Sequence, residues 1–321
     1  MLAVDRVSKT YRVGLFGGSE LRAVNDVSFE LHPGEVVSLI GESGSGKSTI
    51  GKMILRLLVA NAGTIRIDGC DVAPLNGAAL RDYYRRVQGV FQDPFSSCNP
   101  VFKVDHAFDM VRRAWFADLD QARWRTKVEA SLAAVNLEAG QVLHKYPHQL
   151  SGGQLQRLLI ARALILDTEY LVADEIISML DASTRIDVLN LLGDLRARGL
   201  GILFITHDLS LGNYISSRAV IMRRGRIVEM GATAKVFGDP LHPYTKMLLG
   251  SVPSLRDRWG KVGEVAAAWT AAATAAASGP CLYHSAFPVS DERPGVARPA
   301  LAAVESDHLV ACSRADGEGT C

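Results

Sequence analysis

Three short runs of continuous apolar residues punctuate the chain: EVVSLIG at 35–41, YLVADE at 170–175 and GILFITHD at 201–208. Strands covered on both faces by helices read as unbroken apolar runs, so these three are predicted to be parallel strands of a buried α/β sheet. Each runs into polar, chemically capable residues, and such sheets place ligands beyond the carboxyl ends of their strands. NDVSFELHPGE (25–35) and TIRIDGCDV (64–72) alternate apolar and polar residues instead, which predicts half-exposed antiparallel strands beside the parallel core. From Asp93 to about Leu166 helical periods take over, as in ARWRTKVEASLAAVNL and QLQRLLIARALIL, and predict a helical insertion. RAVIMRRGRIVEMG (218–231) reads as a hairpin turning at Arg224 and Gly225.

After about Ser251 the character changes. An Ala-rich, low-complexity stretch over about 263–279 leads into a Pro-rich segment with little periodicity. A boundary is therefore expected near Pro253, with a main domain over 1–252, its helical part over about 93–166, and a small extension over 253–321. A chain of 321 residues is long enough for one large α/β core and such an appendage.

Composition narrows the function classes. Lys and Arg number 35 against 34 Asp and Glu, so no global field favours a nucleic-acid partner. The opening MLAVDRVSKTYRVG carries charges where a signal peptide needs an apolar core, and no apolar run approaches the roughly 20 residues of a membrane span. The expectation is a cytosolic chain, with docking on a membrane protein left open. Five scattered cysteines, Cys70, Cys98, Cys281, Cys312 and Cys321, are expected to be reduced thiols.

The chemistry begins at GESGSGKST (41–49), which fits G-x-x-x-x-G-K-[ST]. Gly41, Gly44 and Gly46 let the backbone, Ser43 included, wrap round phosphate with its N–H groups inward, and the helix that follows presents its positive end. Lys47 is placed to reach the β and γ phosphates, and Ser48, beside Thr49, to offer a hydroxyl to Mg²⁺. A phosphate loop needs a second acid for the metal, and Asp174 closes the YLVAD strand. Glu175, one residue on, projects differently and is the candidate to orient or deprotonate attacking water. His207 ends the third run and is a candidate contact to the γ-phosphate; Gln92, in VFQDPFSSCNP, offers an amide to Mg²⁺ or water. LSGGQLQR (150–157) puts a hydroxyl and two glycines before another helix, a second anion-binding terminus. Two phosphate sites for one nucleotide suggest a dimer, with ATP between one chain's phosphate loop and the partner's SGG turn. Tyr11 is then a platform for adenine, a stacking contact of about 1–3 kcal/mol.

The ordered set GESGSGKST, FQD, LSGGQ, LVADE, SMLD and ITHD resembles the nucleotide-binding subunits of ABC transporters over residues 1 to about 250. The resemblance implies a P-loop ABC nucleotide-binding domain: a mostly parallel core sheet, an antiparallel β subdomain and a helical subdomain. It implies Gln92 as the lid-loop glutamine, Ser151, Gly152, Gly153 and Gln154 as the signature acting in trans, Asp181 as the dimer-contact aspartate and His207 as the switch histidine. VFQDPFSSCNP, YPHQLSGGQ and DPLHPYTKMLLGSVP look like the oligopeptide/dipeptide importer branch. That implies an ATPase on the cytoplasmic face of the inner membrane, using ATP and Mg²⁺. Its partners would be a second ATPase subunit, two permease subunits and, indirectly, a solute-binding protein. An oligosaccharide or glycoside importer of the same branch is the alternative; a soluble ABC ATPase uncoupled from transport is the alternative of another class.

Two departures stand out. Members of the branch often carry four C-terminal cysteines resembling an iron–sulfur site. Here Cys281 and Cys312 fit the outer positions, but Phe287 and Pro294 stand where the middle two would be. A cluster needs about four thiolates, so none is expected; Cys321 is the alternative that could stand in for a missing position. The family's usual Pro-Thr-Ser-Ala-Leu-Asp after the catalytic Glu is here Ile176-Ile177-Ser178-Met179-Leu180-Asp181. Neither isoleucine replaces a group that handles phosphate, metal or water, so the change is expected to alter packing and leave catalysis intact.

Overall fold

The computed structural model describes residues 1–13, 18–251 and 300–311. In chain order these form β1 (Leu2–Val13), β2 (Ser19–Leu31), β3 (Val36–Ile40), α1 (Lys47–Ile54), β4 (Ala62–Ile67), β5 (Cys70–Asp71), α2 (Gly77–Arg86) and β6 (Val87–Val90). Four helices follow, α3 (Asp105–Trp115), α4 (Gln121–Ala133), α5 (Ala139–Val142) and α6 (Gly152–Leu164). Then come β7 (Tyr170–Asp174), α7 (Ala182–Ala197), β8 (Gly201–Thr206), α8 (Leu209–Ile215), β9 (Arg218–Arg223), β10 (Arg226–Ala232), α9 (Thr233–Gly238), α10 (Pro243–Gly250), β11 (Ala302–Glu305) and β12 (His308–Val310). They group into two compact units, one of Met1–Val36 with Ser48–Ile205, the other of Val37–Lys47 with the chain from Thr206. The boundary expected near Pro253, the Ala-rich linker, Cys281, Cys312, Cys321, Phe287 and Pro294 all lie outside the described residues, and with them the expectation of no iron–sulfur cluster.

The first unit holds an antiparallel sheet, β2-β1-β4-β5, and three strands in the order β6-β7-β8 with parallel pairing throughout. The predicted runs account for β7 and β8: every residue of each is buried, as in-plane strands under helices require. Strand β6 is only VQGV and carries a glycine, so its strand character comes from pairing with β7, Val87 opposite Tyr170 through Val90 opposite Ala173. The predicted helical insertion contains α3 to α6. Leu155, Leu158, Leu159, Ile160 and Ala161 of α6 are all buried, apolar positions on several faces of one helix, which is how a helix enclosed by neighbours reads. Helix α7 buries Val188, Leu189, Leu191, Leu192 and Leu195. Each buried leucine contributes about 1.5–3 kcal/mol over exposure.

In the second unit β3 pairs parallel with β9, and β9, β10, β12 and β11 continue antiparallel. The predicted hairpin turns at Arg224 and Gly225, with Arg223 opposite Arg226. Both central residues have positive φ, 46° and 80°, the two-residue turn whose twist matches its strands. Ile40, Leu209, Ala219, Ile221, Val228, Val236 and Tyr244 form the core, with Phe237, Met247, Leu248 and Leu249 packed on it. Strand β12, from the segment with little periodicity, pairs with β10: Glu229 with Val310, Met230 with Leu309, Gly231 with His308.

Candidate active site

In the second unit the phosphate loop leaves β3 and enters α1 at Lys47. Gly46 has φ +102°, a conformation that glycine adopts without steric cost. The loop is fastened from outside: Ser45 O accepts from Gly225 N at 2.9 Å, and Tyr244 Oη accepts from Glu42 N at 3.2 Å. Lys47 is 4% exposed and its Nζ donates to Gly41 O at 2.7 Å and Glu42 O at 2.8 Å. The ammonium is thus held inside the loop it serves. Gly44 and Ser43 lie on the exposed rim. His207 follows β8 and is exposed; the next residue, Asp208, caps α8 by accepting from Ser210 N and Leu211 N at 2.9 and 3.2 Å.

In the first unit α1 continues through Ser48 and Thr49. Ser48 Oγ donates to Asp174 Oδ1 at 3.0 Å, so the sequence-predicted metal pair is brought together across 126 positions of chain. Asp174 is 8% exposed at the end of β7. Glu175 has φ +51°, an uncommon conformation for a residue with a side chain and one that costs of order 1–3 kcal/mol. Its backbone is fixed on both sides: Glu175 N donates to Ile205 O at 3.0 Å, and Glu175 O accepts from Ser178 N at 3.1 Å and Ser178 Oγ at 2.9 Å. The backbone at Glu175 thus leaves the extended conformation of the strand that Asp174 closes. Gln92, two residues past β6, is exposed. Tyr11 is half-buried on β1 opposite Leu21, with Lys9 Nζ 5.6 Å from its ring centroid.

Ser48 and Asp174 offer hard oxygen donors to Mg²⁺. Among the described residues no group of three or more His, Cys, Asp or Glu is arranged to hold a metal. The Ser48 and Asp174 oxygens suit Mg²⁺ in a nucleotide site, where one or two protein oxygens and the substrate phosphates do the binding.

Of the residues between the acids, Ile176 and Ile177 are 1% and 2% exposed, whereas Met179 is 60% exposed. Arg185 ties the loop, donating from Nε to Leu180 O at 2.8 Å and from Nη2 to Ser178 O at 3.2 Å. Asp181 is the N-cap of α7, accepting from Ser183 Oγ at 2.6 Å, Thr184 N at 3.0 Å and Thr184 Oγ1 at 2.7 Å. The hydrogen bonds from Ser183 and Thr184 hold its carboxyl well below the ordinary carboxylate range. Ser151 caps α6 reciprocally with Gln154: Gln154 N donates to Ser151 Oγ at 3.2 Å and Ser151 N to Gln154 Oε1 at 3.1 Å. A Cβ on Gly153 would stand 2.2 Å from Thr184 Cγ2. Gly153 is therefore where α6 and α7 approach, a reason absent from the sequence reading, while Gly152 meets only Leu180 Cδ2, at 3.5 Å.

Sequence reasoning missed a second set of polar residues in the second unit: Glu229, His242, Tyr244 and His308, all buried. Their signal was a lone acid inside the apolar run IVEMG and a His-Pro pair opening a helix.

A Gly-Lys-Ser helix start whose serine is hydrogen-bonded to the acid closing a buried strand is the arrangement of a P-loop nucleotide-binding protein. Residues 24–178 match the ABC transporter family model, and 228–290 the C-terminal region of oligopeptide/dipeptide transporters. A putative peptide import ATP-binding protein of Brucella ovis is 36% identical over 315 residues, 98% of both chains. The oligopeptide transport ATP-binding protein OppF of Streptococcus mutans is 41% identical over 254 residues, 79% of this chain and 82% of that one. Among solved structures, a dimeric ATP-binding cassette in a post-hydrolysis state with ADP and phosphate is 28% identical, with a TM-score of 0.63. The match covers 73% of this chain and 99% of that one. The chain belongs to the ABC transporter family of ATP-binding subunits, and is an ATPase of that class with the α/β fold the sequence predicted. No helix among the described residues is long and apolar enough to cross a membrane.

Proposed function

We propose that the chain is the ATP-hydrolysing subunit of a peptide importer, peripheral on the cytoplasmic face of the inner membrane. In this reading Gly41, Ser43, Gly44, Gly46, Lys47 and Thr49 cradle the triphosphate and Tyr11 faces adenine. Ser48 and Asp174, with Gln92, would hold Mg²⁺, which would supply positive charge to the phosphates. Glu175 takes a proton from the water that attacks the γ-phosphorus; the bond to the β–γ bridging oxygen breaks, leaving ADP and phosphate. His207 is the candidate contact to the γ-phosphate. In phosphoryl transfer the protein mostly positions groups and compensates charge, and the Ser48–Asp174 hydrogen bond beside the kinked Glu175 is the observation that carries the reading.

Ser151, Gly152, Gly153, Gln154 and Asp181 would meet the ATP of a second subunit, identical or not, and a pair of permease subunits would receive the motion. Names of relatives that import peptides support that solute over an oligosaccharide; a soluble ATPase uncoupled from transport has no such support. The test is Glu175→Gln, which keeps size and hydrogen bonding but removes the base. Turnover should fall at least about 100-fold, with ATP binding and ATP-dependent dimerisation kept; undiminished turnover refutes the role of Glu175. Purification of the tagged chain from its host should bring down membrane permease subunits, and their absence would refute the importer.

A further inference from the structure

A buried polar chain in the second unit joins strand β12 to the phosphate loop. Glu229, on β10, is fully buried. Its Oε1 lies 2.8 Å from His308 Nε2 on β12 and also accepts from Leu241 N at 2.8 Å; its Oε2 accepts from His242 N at 3.0 Å. A carboxylate only accepts, so the His308 ring nitrogen is the donor. His242, fully buried, caps α10 by accepting from Tyr244 N at Nδ1, 3.0 Å away. Tyr244, also fully buried, accepts at Oη from Glu42 N, the second residue of the phosphate loop. Arg223 fixes the ring, its guanidinium 4.9 Å from the Tyr244 centroid. Burial pushes the Tyr244 hydroxyl above the ordinary tyrosine value, so it stays neutral. The chain runs by hydrogen bonds throughout, and its end residues, Glu42 and His308, are 266 positions apart in sequence.

Such a chain has no need of β12 for stability alone, because a buried carboxylate could have been replaced by an apolar residue at little cost. What it does is carry position. His308 and the two backbone N–H groups fix Glu229, Glu229 fixes the Leu241–Tyr244 turn, and that turn sets where Tyr244 Oη meets the loop. We propose that Tyr244 is a positioning residue for the phosphate loop and that β12, through His308 and Glu229, sets its position, making the docked C-terminal strand a determinant of nucleotide affinity. The proposal rests on the reading of 41–49 as the ATP site.

The experiment measures Mg-ATP binding by calorimetry, steady-state turnover and thermal unfolding on the full chain. Tyr244→Phe removes one oxygen and should weaken ATP binding about three- to tenfold, the worth of one hydrogen bond. Turnover at saturating ATP should fall less than affinity does, and the unfolding temperature by no more than the few degrees one lost hydrogen bond costs. His308→Ala should weaken ATP in the same direction, and His308→Gln, which keeps an N–H donor near the Nε2 position, should restore it. Lys235→Ala removes an ion pair to Glu305 at 3.0 Å and a hydrogen bond to Ser306 O at 2.7 Å, both outside the Glu229 chain, and should weaken ATP less than His308→Ala does. Wild-type affinity in Tyr244→Phe overturns the proposal while leaving the ATP site intact. So does a joint loss of affinity, turnover and unfolding temperature in both Tyr244→Phe and His308→Gln, the mark of a merely structural role. A wild-type chain that binds no ATP removes the ATP reading, and the proposal with it.

Discussion

Gly153→Ala isolates one contact on which the packing of the signature helix depends. The added Cβ would stand 2.2 Å from Thr184 Cγ2, where carbon atoms in contact sit about 3.5–4.0 Å apart. Thr184 cannot swing aside without loss, because its Oγ1 donates to Asp181 Oδ2 at 2.7 Å and its N to Oδ1 at 3.0 Å. Overpacking of this kind costs about 1–3 kcal/mol. Against it stands the lower backbone entropy of alanine in a helix, a gain of about 0.5–1 kcal/mol that is smaller in the first turn. The net expectation is a loss of about 1–2 kcal/mol, or roughly 2–8 °C in unfolding temperature for a unit of this size. Thr184→Ser removes Cγ2 and keeps the hydroxyl bond to Asp181, so the double variant should recover most of the loss. Urea unfolding of wild type, both single variants and the double gives the coupling directly, expected near 1 kcal/mol or more. Gly153→Ala unfolding at or above the wild-type midpoint, or a double variant no better than the single, would refute the steric argument.

Two further outcomes are expected. Asp181→Ala should lower the unfolding temperature at neutral pH. The folded carboxyl titrates below its unfolded value, so its contribution is complete above about pH 4 and is lost as pH falls toward the folded pKa. The gap to wild type should therefore shrink in acid, and a gap constant with pH would contradict the cap's ionic character. Cys70 is exposed and Cys98 half-buried, with burial pushing the Cys98 thiol up. Peptide mapping after brief alkylation at mildly alkaline pH should find Cys70 labelled before Cys98; equal rates would contradict the burial.

Much of the candidate site was legible because its signals are local. GESGSGKST declares itself through glycines and a lysine within nine residues, and the strands of YLVAD and GILFIT through unbroken apolar runs. Asp174, Glu175 and Ile176-Ile177 followed from position after such a run, and the structure places them at the strand end and in the core respectively. Strand β6 was not legible, since VQGV is too short and too glycine-rich to read as a strand without its partner β7. Strands β11 and β12 were not legible for the same reason: AAVE and HLV become strands by pairing, β12 with β10 and β11 with β12.

The sequence by itself determined the chemistry this protein offers: a phosphate loop, an acidic pair at a strand end, a serine-capped glycine helix, and the order in which they occur. These depend on spacings of a few residues, where chain connectivity fixes geometry. Only the tertiary structure decided what joins distant segments. Ser48 meets Asp174, Gly153 meets Thr184, and His308 reaches Tyr244 by way of Glu229 and His242. A buried carboxylate needs donors, and a helix crossing needs a missing Cβ, but neither requirement says where along the chain its answer lies. Folding settles that, because only the packed chain shows which groups have left water together.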